Sequence, residues 1–210
     1  PSIRELKNRQ QMQDYLAKYR FDQDPFSDHG SGLFFAGGGR KKAVESLLHF
    51  ARYGTAALFL TGAMGSGKTA VLDAFLSELE NDVDFALISA SLMMTTGQIM
   101  AEVAMQFGAQ SDEGLSLSLE KQVYAIMAFA DYATSRDRQV LICIDNTQDL
   151  SAEVLQNVID IVAMSAGKIR LILVGEQQTL SLIESAVEKS SMLLNKIELT
   201  YFTQQEVEAY

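Results

Sequence analysis

Gly62-Ala63-Met64-Gly65-Ser66-Gly67-Lys68-Thr69 is the stretch whose reading decides the fold. It fills every fixed position of the pattern G-x-x-x-x-G-K-[ST]. The apolar run Ala57-Leu58-Phe59-Leu60 precedes it, and an amphipathic stretch with Val71, Leu72, Phe75, Leu76 and Leu79 follows. Strand, glycine loop and helix start, in that order, let main-chain N–H groups converge on an anion. Glycines at 62, 65 and 67 remove side chains that would block the approach. Lys68 supplies a positive charge suited to β- and γ-phosphates, and Thr69 a hydroxyl suited to Mg2+. Ala63, Met64 and Ser66 contribute main chain only. Ala70 belongs to the helix start whose unpaired N–H groups point at the phosphates. These residues predict a nucleoside-triphosphate site.

Outward from the loop, short apolar strands alternate with amphipathic helices. Strands are expected at Ala57–Thr61, Phe85–Ser89, Val140–Asp145, Ile169–Val174 and Ile197–Thr200. Helices are expected over 40–53, 68–80, 95–107, 119–134, from Ser151 onward, and over 179–189, with Thr95 and Gln98 forming a capping box. Thr203 and Glu206 form a second capping box, opening a helix near the end of the chain. This alternation predicts an α/β fold, a parallel sheet covered by helices on both faces. Residues 1–20 have spacing compatible with a loosely attached helix, and residues 21–39 read as loop. The domain reading is a helical and loop segment over 1–54, a core over 55–205, and the start of a further helix over 206–210.

Val140-Leu141-Ile142-Cys143-Ile144-Asp145 is the partner motif. An apolar strand ending in Asp places a carboxylate at the sheet's carboxyl edge, where ligands bind in such folds. Asp145 is therefore the expected second holder of Mg2+. Many ATPases of this type carry Glu next, to orient and deprotonate water; here the residue is Asn146. A carboxamide can hydrogen-bond a water but cannot take its proton, so hydrolysis is expected to be slow. Gln148 or Glu176 could help position that water. Glu176 follows the fourth strand at the same edge and is a candidate polar group near the γ-phosphate. No arginine follows Arg170, so no late arginine for sensing phosphate is visible.

The 210 residues are 48% hydrophobic, enough for a buried core, and carry a net charge of −10. That balance disfavours a broad nucleic-acid groove, which needs clustered Lys and Arg. Cys143 is the one cysteine and reads as a buried apolar residue. His29 has no ligand-type companion, and His49 reads as a packed or half-exposed helix residue. Met93, Met94, Met100 and Met105 read as core filler, with a soft partner-facing surface as the alternative. No apolar run approaches the ~20 residues needed to cross a bilayer. The chain begins with Pro1, so it is expected to be a piece of something longer.

Tyr19-Arg20-Phe21-Asp22-Gln23-Asp24-Pro25-Phe26, then Phe34-Phe35, resemble the F-x-x-x-P-F opening of a known branch. Asp145-Asn146-Thr147-Gln148 stands where that branch has D-E-A-Q, Gly175-Glu176-Gln177 where it has G-Q-P, and Thr203 through Tyr210 resembles its S-x-E-E…Y segment. The branch is the ExeA/GspA-type AAA+ ATPases. Leu47-Leu48-His49-Phe50-Ala51-Arg52-Tyr53 is similar to the cytoplasmic ATPase domain of DamX-like SPOR-domain proteins. The resemblance implies the sheet order 5-1-4-3-2, a helical lid beginning near Glu206 and truncated here, and ATP rather than GTP. It further implies a cytoplasmic domain tethered to the bacterial inner membrane beyond Tyr210. Its partners would be proteins of the septal envelope or further copies of itself. Two other functions fit the same motifs: an inert nucleotide-bound interaction module, and a DNA-transaction ATPase resembling transposition helpers.

Overall fold

The computed structural model describes residues 18, 34, 36–54, 56–109 and 118–209. The chain divides into two compact units, Pro1–Phe35 and Ala36–Tyr210. The helix expected within residues 1–20, the loop reading of residues 21–33, His29 and most of the 109–117 loop lie outside the described residues. In chain order the second unit runs α1 (Arg40–Tyr53), β1 (Ala57–Gly62), α2 (Lys68–Ser77), β2 (Val83–Ser89), α3 (Thr96–Gln106) and α4 (Leu119–Thr134). Then follow β3 (Gln139–Asp145), α5 (Ala152–Ala163), β4 (Ile169–Gly175), α6 (Leu180–Lys189), β5 (Leu194–Leu199) and α7 (Gln204–Ala209).

The five strands form one sheet in the order β2-β3-β4-β1-β5, the arrangement the resemblance implies. Every pairing is parallel. The three central strands β1, β3 and β4 are almost wholly buried, which explains their continuous apolar sequence. Alternate residues serve opposite faces. Phe59, Ile88, Ile142, Ile144, Leu171 and Leu173 belong to a core shared with Ile99, Met100, Val103, Ile126, Val158, Ile159 and Ile183 from α3, α4, α5 and α6. Leu58, Leu60, Leu141, Cys143, Ile172 and Val174 are equally buried on the other side. That side is covered by Leu47 and Phe50 of α1 and Val71, Leu72 and Phe75 of α2. Burial pushes the Cys143 thiol far above its ordinary pKa, so it behaves as an apolar side chain.

Local signals hold where they are strongest. Thr95 accepts from the Gln98 N–H, and the Gln98 side chain returns to the Thr95 N–H, so the capping box is complete. Ser151 accepts from the Val154 N–H and starts α5. Differences arise where tertiary contact decides. The helix at 68 ends at Ser77 instead of 80, β2 begins at Val83 instead of Phe85, and β5 runs Leu194–Leu199 instead of Ile197–Thr200. The early start of β5 comes from pairing along the whole of β1, Ala57 with Leu194 through Gly62 with Leu199. His49 is exposed and stacks obliquely on Tyr53. Core-filler methionines are only half right. Met100 is fully buried, but Met93 is 93% exposed and Met105 also faces solvent. Met93 sits at φ 69 in the turn that leaves β2, which throws its side chain outward.

Order in the sheet fixes where chemistry can occur. The carboxyl ends of β1, β3 and β4 lie side by side. Thr61 pairs with Gly175, and Ile144 with Leu173. Gly62, Asp145 and Glu176, distant in sequence, therefore meet at one edge.

Candidate nucleotide site at the sheet edge

The loop after β1 is shaped by its glycines. Gly65 has φ 76 and Gly67 φ 84, values that other L-residues rarely adopt. A Cβ built at Gly65 meets nothing within 4 Å, so the space before the loop is open. Gly62 serves a different purpose: a Cβ there would lie 2.6 Å from the Leu199 carbonyl oxygen, so only glycine lets the loop start against the end of β5. Gly67 is the N-cap of α2 and provides no side-chain cap. The first N–H groups of α2 are thus left for a ligand or solvent.

Lys68 folds its ammonium over this loop. Its Nζ donates to the Gly62 and Ala63 carbonyls, each at 3.0 Å. Thr69 Oγ1 donates to Asp145 Oδ2 at 2.9 Å. Asp145 is buried, and its other oxygen accepts from the Asn146 N–H at 2.8 Å. The phosphate-loop hydroxyl and the strand-end carboxylate, separated by 76 positions, are in direct contact. Both donors are oxygen, as a hard divalent cation requires, so the pair fits Mg2+. Ser66 Oγ is buried without a hydrogen-bond partner among the described residues.

Asn146 has φ 57 and ψ 40, a left-handed conformation that Asn tolerates better than most residues. Its Nδ2 donates to Ser89 Oγ and its Oδ1 accepts from Gln148 Nε2, both at a long 3.4 Å. The carboxamide is thus lightly held and half-buried at the same edge. Glu176 is half-buried; its carboxylate accepts from Gln178 Nε2 at 3.1 Å.

Two residues here escaped the sequence reading. Gln177 Oε1 accepts from Thr61 Oγ1 at 3.1 Å, so Gln177 and not Glu176 reaches the end of β1. A three-residue 3-10 turn, Gln177–Thr179, aims it there. Asp73 lies one helical turn beyond Thr69. Burial first, and then the Asp145 charge, hold its carboxyl above the usual carboxylate range. Helical i, i+4 spacing from Thr69 would have flagged Asp73; nothing local flags Gln177.

Residues 51–183 match the AAA domain family, more than half of the chain. None of the curated proteins matches the chain. Among solved structures it is similar to Cdc6p from Pyrobaculum aerophilum, with TM-score 0.65 and 16% identity over 87% of this chain and 50% of that one. The Aeropyrum pernix ORC2 protein in its ADP form gives 0.61 and 16%, over 82% and 50%. The Drosophila ORC structure bound to DNA gives 0.62 and 23%, over 86% and 47%. At these identities the likeness is one of fold. The chain spans about half the length of each of these structures.

Proposed function

The chain belongs to the AAA domain family, and from that premise we propose that it binds Mg·ATP at the Gly62–Thr69 loop and hydrolyses it slowly. The observation that carries the reading is the contact between Thr69 Oγ1 and Asp145 Oδ2 beside an ammonium poised over a glycine loop. In this reading the main chain of Gly62 through Ala70 and the Lys68 ammonium hold the phosphates. Thr69 and Asp145 hold Mg2+, which when bound neutralises phosphate charge and orients the terminal group. Asn146 orients a water without accepting its proton. Gln148, whose Nε2 donates to Asn146 Oδ1, and Glu176 would help to position that water in this reading. The resemblance to ExeA/GspA-type ATPases favours adenine over guanine nucleotide.

The finer reading is a nucleotide switch that controls protein assembly at the bacterial inner membrane, as in the ExeA/GspA-type and DamX-like proteins it resembles. It rests on Tyr19–Phe26 and on Leu47–Tyr53; Asn146, which departs from the branch's Glu, favours a switch over a fast hydrolase. In that reading residues 1–54 lead into a 55–205 core, and 206–210 begin a lid. The net charge of −10 weighs against DNA as the partner. Among the described residues no helix is long and apolar enough to cross a membrane, so a tether would lie elsewhere in the full protein. Calorimetric titration with ATP and ADP, with and without Mg2+, combined with phosphate release at saturation, tests the proposal. Binding with feeble turnover supports it. Turnover near the ~10 s−1 typical of enzymes would refute slow hydrolysis, and salt-dependent DNA retention would revive the DNA-transaction function.

A further inference from the structure

Arg40, the first residue of α1, is only 2% exposed. Its Nη2 donates at 2.8 Å both to the Ser66 carbonyl of the phosphate loop and to the Thr200 carbonyl just past β5. Its Nη1 donates to the Gly38 carbonyl at 2.9 Å. The guanidinium lies 3.6 Å from the centroid of the Phe202 ring, a cation–π contact. Next to Phe202, the Tyr201 hydroxyl donates to the Met64 carbonyl at 2.9 Å. The same segment is closed by Thr203, whose N–H and hydroxyl both donate to Glu206. Glu206 is also reached by the Gly38 N–H and by the Arg40 charge.

Which carbonyls are held matters. A trans peptide is planar, with its C=O and the next residue's N–H pointing in opposite directions. Holding the Met64 carbonyl therefore aims the Gly65 N–H, and holding the Ser66 carbonyl aims the Gly67 N–H. These are the two loop residues with positive φ, where no side chain restricts the peptide plane. The first anchor is Tyr201 itself, and the second, Arg40, is held in turn by the Thr200 carbonyl and the Phe202 ring.

We infer that Arg40 and Tyr201 are positioning residues of the phosphate loop, and that residues 200–206 form a strap whose docking is coupled to anion binding on the Gly65 and Gly67 amides. The coupling rests on the proposed nucleotide reading; the brace itself does not. Docked, the strap holds both N–H groups toward the open side of the loop. Undocked, it leaves the two peptides free to turn. By linkage, a ligand that is held by those amides tightens the strap by the factor by which the strap tightens the ligand.

The test uses 15N-labelled chain of residues 1–210, as wild type and as Tyr201→Phe, Phe202→Ala and Arg40→Lys. Without nucleotide, each substitution should shift and broaden the Gly65 or Gly67 amide resonances while β3 and β4 amides stay in place. With Mg·ATP, Tyr201→Phe should weaken affinity about five- to tenfold, the size of one lost hydrogen bond, and Phe202→Ala and Arg40→Lys should weaken it in the same direction. Tyr201 is exposed, so Tyr201→Phe should do this at nearly unchanged melting temperature. Wild-type amide positions in all three variants would overturn the inference. So would a loosened loop that binds Mg·ATP as tightly as wild type. Amide shifts in a chain that binds no nucleotide at all would uphold the brace and sink the nucleotide reading instead.

Discussion

Asn146→Asp should raise hydrolysis, and its size can be worked from the site. Asn146 occupies φ 57, ψ 40. Asp accepts that region about as well as Asn, whereas Glu there adds about 1 kcal/mol of strain. The exchange turns a carboxamide into a group that can take a proton, and general-base help is worth about 10²–10⁴ in rate. A new carboxylate also adds charge next to Asp145. At about 4 Å and an effective dielectric of 20, two such charges repel by about 4 kcal/mol. The Asp73 carboxyl is held above the usual range by partial desolvation first and by the Asp145 charge second. Bound Mg2+ relieves much of this repulsion. The expected gain in kcat is therefore at the low end, about 10²-fold, and only with Mg2+ present. Asn146→Glu should gain less and melt lower. The assay is phosphate release at saturating Mg·ATP, beside calorimetric affinity. If both variants bind nucleotide and turn over within about twofold of wild type, against a base's usual ~10²-fold, a missing base does not limit hydrolysis.

Arg170 is buried in β4 and donates to the Gly54 and Arg52 carbonyls and to Gln139. Arg170→Met should orphan those acceptors and cost about 2–4 kcal/mol, read as a lower urea midpoint with unchanged m. On the outer edge of β2, Gln106 pairs its amide with both the N–H and the C=O of Leu87 at 2.8 Å, closing that edge. Gln106→Leu should reopen it and cause concentration-dependent association in size-exclusion runs. Glu206 is held below its ordinary 4.5 by the Thr203 backbone and side-chain bonds first, with Gly38 and Arg40 helping. Its contribution is thus fully present above pH 4.5 and lost as pH falls through the lowered value. The Thr203 amide resonance should move across that acid range in wild type and not in Glu206→Gln.

What could be read beforehand was local. Gly62 through Thr69 and the Val140–Asp145 strand each carry their chemistry in contiguous residues. The core strands are recognisable because burial on both faces leaves no polar alternation. Edge strand β5 is less legible, because Asn195, Lys196 and Glu198 interrupt its apolar residues and pairing with β1 decides its length. Met93 and Met105 escaped because a methionine's side depends on a turn or a helix face set by packing. Arg40, Gln177 and Tyr201 escaped for a different reason. Each acts on main-chain atoms of an element far away in sequence, and no residue pattern records that.

The most direct test of the central claim is thermal stabilisation by Mg·ATP in wild type and in Lys68→Ala. At 100 times Kd the nucleotide should stabilise wild type by about 2.7 kcal/mol, a rise of roughly 5–10 °C for a chain of this size. Lys68→Ala should fold with similar intrinsic stability and lose most of the rise. No shift in wild type, or an equal shift in Lys68→Ala, would contradict the claim that this loop grips a triphosphate.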